Sequence, residues 1–305
     1  MIQVYETAIR AWVVPATKRR ASGRKKRRIP WRSAPYGKRV LVVDSETTVD
    51  FLLRLLYAVF QLYESGQLLR EGIILGDSLK PGELEIVNAY AADHKLEVFS
   101  REDFCRDVFF PEVYVKCTLC VGFSLPFDLS RLSMKAGSGR GKNRRKFRLT
   151  FTSYYTNPAI YVETISGRAA FIGFAPKNAL NEWEKPFFRG RFLDLAALAR
   201  ALTGRGYSLR RAAIAFKTAH KKTSVELGGV TAEAIDYCRN DVLVTWELYE
   251  KLRDEYLCYP FASLENERER PPYAVPMGQL YSTASVAKAT LRMVGFRPLF
   301  DGGIR

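Results

Sequence analysis

The chain has 305 residues, 47% of them hydrophobic, and a net charge of +16. That length suits one large domain or one domain with an appendage, with enough apolar residues to bury a core. No apolar run reaches the ~18 residues of a membrane span, and the N-terminus has no apolar signal-peptide core, so a soluble cytoplasmic protein without a membrane partner is expected.

Residues 1–17 alternate apolar positions at Ile2 and Val4 and cluster them at Trp12, Val13 and Val14. They read as an edge strand or a docked arm. From Lys18 to Lys38 there are ten Lys/Arg and no acid, densest at Arg24, Lys25, Lys26, Arg27 and Arg28. Like charges repel and nothing apolar balances them, so this arm is expected to be mobile. A solvated tail, a targeting signal and a polyanion-binding arm share this composition.

Arg39–Thr48 then places Val40, Leu41, Val42 and Val43 in a row, a buried β-strand, and ends it with Asp44 and Glu46. Side chains two apart on a strand share a face. Two adjacent carboxylates repel and are costly to desolvate, and a hard divalent cation relieves both problems. Alone, the segment reads first as a strand ending in two solvated acids, and the rest of the chain raises the metal reading.

Leu55–Tyr63, the turn Glu64–Gln67 and Leu68–Leu75 continue as an antiparallel meander. Lys80-Pro-Gly opens a helix over Glu83–His94, with Leu84, Ile86, Val87 and Tyr90 on its inner side. Val113–Phe123 reads as another buried strand containing Cys117 and Cys120. Five cysteines without a secretory signal argue against a disulfide framework, and no second pair completes a zinc site. The strand runs into Ser124-Leu-Pro-Phe-Asp128, where the proline favours a turn or helix start near Phe127. Asp128 then lies at a helix N-terminus beside a buried strand.

Arg131–Arg148 holds eight Lys/Arg and no acid, among them Arg140, Lys142, Arg144, Arg145 and Lys146, with glycines at 137, 139 and 141. It is expected to be a flexible basic loop hanging from the Asp128 helix. Outside the two basic segments, 30 bases face 32 acids. Basic segments on a near-neutral body suit a polyanion, and nucleic acid first among them.

Ala159–Thr164 and Ala169–Phe174 read as a hairpin, Phe192–Leu195 as a short strand, and Ala196–Thr203 and Ser208–Phe216 as helices. Val230–Leu252 has helical periodicity with Thr231 as its cap. Tyr237 and Asp241 are four apart and share a face, while Ile235, Cys238, Val242, Thr245 and Leu248 fill the inner side. An acid flanked by core positions needs a partner. Glu265–Pro272 reads as a linker and Met277–Gly295 as a last helix, apolar at Leu280, Ala284, Val286, Leu291 and Val294.

Asp44, Glu46, Asp128 and Asp241 come from three elements. Four such carboxylates can hold two metal ions about 4 Å apart across a phosphodiester. The segments DSE, GFSLPFDLSRLS and YCRND resemble the three motifs of the DEDD (DnaQ-like) 3′–5′ exonucleases. The tyrosine four before the last aspartate matches their DEDDy branch. The histidine of the DEDDh branch would fall at Asp236.

The resemblance implies an α/β, RNase H-like fold, a mixed central sheet flanked by helices. It implies two Mg²⁺ or Mn²⁺ ions and hydrolysis from the 3′ end of single-stranded DNA. Asp44 would bridge both ions, and Glu46 and Asp241 would bind the one carrying the attacking water. Asp128 would hold the second through water, and Tyr237 would orient the water and the phosphate. Ser124 stands where relatives often carry Asn, and with Phe127 it is expected to touch the nucleic acid, as are Arg24–Arg28, Arg140, Lys142, Arg144, Arg145 and Lys146.

The match spans roughly residues 38–255, within an expected exonuclease domain of 38–258 between a basic arm (1–37) and a linker with C-terminal helix (259–305). It is nearest to the exonuclease region of family B DNA polymerases and of polymerase-like proteins in phages and mobile elements. A stand-alone nuclease and a truncated polymerase relative both fit. So does a non-catalytic nucleic-acid-binding module, or a subunit docking a protein partner through the C-terminal helix.

Overall fold

A computed structural model describes residues 36–295, apart from 140–142, 154–156, 168, 176–190, 224–228, 266–270 and 272. The expected arm of residues 1–17, the basic run centred on Arg24–Arg28, and Arg140 and Lys142 lie outside the described residues.

The elements run β1 (Arg39–Thr47), β2 (Leu55–Glu64), β3 (Gln67–Leu75), α1 (Pro81–His94) and β4 (Glu97–Ser100). One turn, α2 (Arg101–Phe104), continues into a wider helix over Cys105–Val115 with i→i+5 spacing, followed by β5 (Leu119–Gly122) and α3 (Leu125–Leu132). Next come β6 (Lys135–Ser138), β7 (Phe147–Thr150), β8 (Ile160–Ser166), β9 (Ala169–Phe174) and β10 (Arg191–Asp194). The chain then adds α4 (Leu195–Thr203), α5 (Leu209–Ala215), α6 (Ala232–Leu257), a 3₁₀ turn (Met277–Gln279) and α7 (Thr283–Met293).

Six strands form the central sheet in the order β10-β5-β1-β2-β3-β4, with β2 antiparallel to all the others. This is the expected mixed sheet flanked by helices. β1 lies inside it, which is why its apolar run is continuous rather than alternating. Its even positions Val40 and Val42 join the core under α4 and α6. Its odd positions Leu41 and Val43 join a second core under the wide helix, α3 and the β6–β9 sheet. Among the described residues no helix is long and apolar enough to cross a membrane.

α6 is 26 residues long and capped by Thr231, whose hydroxyl accepts from the Ala234 amide at 3.1 Å. Ile235, Cys238, Val242, Thr245 and Leu248 are all buried on it, as its periodicity requires. α1 is narrower than expected: Val87, Tyr90 and Ala91 are buried, while Leu84 and Ile86 are exposed.

Val113–Phe123 is not one strand. Its first residues end the wide helix, where Cys105, Val108, Phe109 and Val113 bury a helical stripe. Pro111 cannot donate a backbone hydrogen bond, but its carbonyl still accepts from the Lys116 amide at 3.1 Å, five residues on. Phe109 stacks on Phe151, and Phe174 bridges Tyr114 and Phe192, so aromatic rings join the β6–β9 sheet to the body. The described ends of the basic loop are thus strands β6 and β7. The last helix is also broken, with Leu280–Ser282 separating the 3₁₀ turn from α7. Phe261, Val275, Met277, Leu280 and Ala289 join the same core as α6.

The wide helix is tied to β1 by one buried acid. Glu112 accepts both arms of the Arg39 guanidinium (3.1 and 2.9 Å), the Lys116 ammonium (2.7 Å) and the Thr118 hydroxyl (2.9 Å). Breaking such a buried set by removing one member costs about 3 kcal/mol. Glu112→Ala is therefore expected to lower the melting temperature by roughly 6–12 °C. An unchanged melting temperature would show that the fork adds nothing.

Candidate active site

β1, β5 and β10 run parallel, so their carboxyl ends open on the same edge of the sheet. Ligand sites in such sheets gather beyond those ends. Asp44 and Glu46 leave β1 on the face that α6 covers. Ser45 points the other way, and its hydroxyl donates to Asp128 Oδ1 at 2.7 Å. β5 turns into α3 through Ser124, whose φ of 68° is left-handed, a conformation costly for a residue with a Cβ. That turn places Asp128 in the first helical turn, 2% exposed. From α6, Asp241 is 1% exposed and Tyr237 lies one turn before it, also buried.

The structure thus brings Asp44, Glu46, Asp128, Tyr237 and Asp241 to one place, and the proton affinities of the acids record it. Burial, then the carboxyls of Asp128, Asp241 and Glu46, push Asp44 well above the usual carboxylate range. Burial lifts Glu46 to about 7 and Asp128 to about 8, the latter against the Ser45 hydrogen bond. Burial raises Asp241 too, against the hydrogen bond and charge of Lys222. Asp128 Oδ2 and Asp241 Oδ1 are buried with no hydrogen-bond partner.

This donor set fits a hard divalent cation: clustered carboxyl oxygens, two of them orphaned, in acids that burial and mutual repulsion discharge. Asp44 and Glu46, with the Cys238 sulfur, have ligand atoms within 4.8 Å of one another.

Lys222 already supplies one positive charge. Its ammonium donates to Asp241 and lies 4.6 Å from the centre of the Tyr237 ring. Burial works against that charge, but the bonds to Asp241 and Tyr237 outweigh it and raise the Lys222 pKa. No sequence signal marks Lys222, which stands in a polar stretch without periodicity. Cys238 was legible only as a core position. Asp194 also went unseen: at the end of β10 it accepts from the Ser124 amide at 3.1 Å and caps α4 through the Ala196 amide at 3.0 Å.

Ser124 and Phe127 line a cavity of about 570 Å³ between α3, the β8–β9 hairpin and the start of α5. Arg200, Tyr207 and Arg211 face it as well. Arg144 and Arg145 are exposed between β6 and β7, and Lys146 pairs with Glu163 at 3.2 Å.

The raised carboxyls carry a pH signature. Glu46 and Asp128 bind protons in the folded chain that the unfolded chain has already released above their ordinary values of 4.5 and 3.8. Stability of the metal-free chain therefore falls as pH rises from about 4 to about 8. A bound cation holds the carboxylates ionised, so the gain in melting temperature from Mn²⁺ should be larger at pH 8 than at pH 6. Scanning fluorimetry with EDTA and with Mn²⁺ reads both slopes, and a larger gain at pH 6 would contradict the assignment.

No family model and no curated protein matches this chain. Among solved structures, that of Exonuclease X in complex with 5′ overhanging duplex DNA is similar, with 13% identity and a TM-score of 0.31. The match covers 70% of this chain and 99% of that one.

Proposed function

We propose that this chain is a metal-dependent 3′–5′ exonuclease of the DEDDy, DnaQ-like kind, related to the exonuclease region of family B DNA polymerases. Its body is residues 38–258, flanked by a basic arm (1–37) and a C-terminal segment (259–305). One observation carries the reading: three elements far apart in sequence deliver four acids, two of them buried and two half-buried, to a single cluster, with two oxygens left unpartnered.

Asp44, Glu46, Asp128 and Asp241 would hold two Mg²⁺ or Mn²⁺ ions. When bound, such a pair generates a nucleophile from water at neutral pH and stabilises the charge on the leaving oxygen. Burial raises the Tyr237 pKa, so its hydroxyl stays protonated and can orient a water or a phosphate oxygen without acting as a base. Lys222 stays charged at neutral pH and can donate to a phosphate oxygen.

The cavity beside Ser124 has the size and chemistry for nucleotides, with an aromatic ring for a base and two guanidinium groups for phosphates. Ser124 and Phe127 line it from α3, which carries Asp128, and from the turn into that helix, and would meet the terminal residue. Arg144 and Arg145, together with Arg24–Arg28, Arg140 and Lys142, would hold the strand further out through salt-sensitive contacts. Lys146 keeps a lesser part because Glu163 engages it.

Digestion of single-stranded DNA labelled at either end tests the reading. With Mn²⁺, a 3′ label should leave at once as mononucleotide while a 5′-labelled strand shortens as a ladder. No digestion with either metal, or cuts within the strand, would defeat it. The variant carrying Arg200→Ala and Arg211→Ala is expected to raise KM about tenfold and to flatten its salt dependence. An unchanged KM would remove the cavity from the strand's path.

A further inference from the structure

The sulfur of Cys238 is the odd member of this site. It lies 3.8 Å from the Asp44 carbonyl oxygen and 3.9 Å from Asp44 Oδ2. The ligand atoms of Asp44, Glu46 and Cys238 fall within 4.8 Å of one another. Burial, then the carboxyls of Asp44, Glu46, Asp241 and Asp128, hold the thiol well above its usual pKa range. Asp128 Oδ2 and Asp241 Oδ1, on the two acids whose charges act most on Asp44, are buried and unpartnered.

Sulfur changes which cation the cluster prefers. Mg²⁺ demands oxygen donors in near-octahedral order. Zn²⁺ accepts thiolate and carboxylate together in four-coordinate sites, and thiolate selects for soft ions. Two carboxylates, one thiol and a water would complete such a shell.

We infer that Asp44, Glu46 and Cys238 form a thiophilic binding mode of this pocket, in which Zn²⁺ or Cd²⁺ is held through sulfur and shuts the nuclease down. This rests on the reading of the acids as the site of the activating metal. As the sulfur–metal bond forms, the thiol proton leaves to solvent, and no electrons are exchanged. The ion occupies donors that the activating metal needs, so inhibition follows from competition for Asp44 and Glu46.

The test uses the full, metal-free chain without nucleic acid. Cd²⁺ is titrated while the cadmium–thiolate charge-transfer absorption is followed, and ¹¹³Cd NMR reports the donor atoms. One equivalent is expected to bind with sulfur in its shell. Cys238→Ser should abolish the absorption. Asp44→Asn should weaken binding on the order of tenfold or more. Cys258→Ser, which removes the exposed thiol, should retain the absorption. A wild-type cadmium shift typical of oxygen donors alone, or equal absorption in Cys238→Ser, overturns the inference. The NMR readout needs no variant, so it decides the matter even where Cys238→Ser fails to fold. A chain that binds Cd²⁺ through Cys238 yet digests nothing would sink the nuclease reading and leave the metal site standing. A chain that digests with Mn²⁺ and ignores Cd²⁺ would do the reverse.

Discussion

Asp44→Asn is expected to reduce metal-dependent digestion by about 10³-fold or more while raising the melting temperature of the metal-free chain. Both effects have one cause. Asp44 is half-buried beside Asp128, Asp241 and Glu46, and that surrounding opposes its charge. The amide keeps the shape and removes the charge. Relief of buried like-charge repulsion contributes about 1–3 kcal/mol, which at pH 8 reads as a rise of roughly 3–10 °C. The same charge is the one a cation would need, so the gain in stability comes with a loss of metal binding. Paired measurements check this: melting in EDTA at pH 8, and digestion with Mn²⁺. A variant that stays fully active ends the assignment. One that melts lower would show that Asp44 serves the fold instead.

Why some of this was legible and some was not follows from how far each signal reaches along the chain. Asp44 and Glu46 were readable because a strand's period of two puts them on one face. Tyr237 and Asp241 were readable because a helix stacks residues four apart. Asp128 followed from a proline that fixes where α3 begins. These are local rules, and they survive folding.

Signals were lost where tertiary packing decided. The apolar run Val113–Phe123 argued for one strand, but its first residues close a helical stripe that begins at Cys105, and the strand itself covers only Leu119–Gly122. On α1, the sheet touches a stripe of Val87, Tyr90 and Ala91 and leaves Leu84 and Ile86 to solvent. Lys222 had no signal at all, because its place is set by a loop folding back onto a helix that comes later in the chain.

That loop is what makes Lys222→Met informative. The Asn240 amide donates to the Lys221 carbonyl at 2.9 Å, and Glu247 accepts from the His220 backbone amide at 2.9 Å and faces its imidazole at 2.6 Å. Asn240 and Glu247 belong to α6, the helix that also carries Tyr237 and Asp241. The ammonium is therefore held in register with both groups it touches. Losing a preorganised charge of this kind costs about 10²–10³ in kcat, so Lys222→Met is expected to slow digestion by about 10²-fold. Its effect on the fold should be opposite to that of Asp44→Asn. Asp241 loses its buried partner, and the metal-free chain should lose about 3 kcal/mol. Mn²⁺ should bind no more weakly, because the ammonium no longer competes for Asp241. A purely structural lysine would leave kcat intact once the folded fraction is saturated with metal, and Lys222→Arg would restore melting and rate together. A fall in kcat at full Mn²⁺ occupancy, with the melting temperature recovered by the metal, separates a chemical role from a structural one.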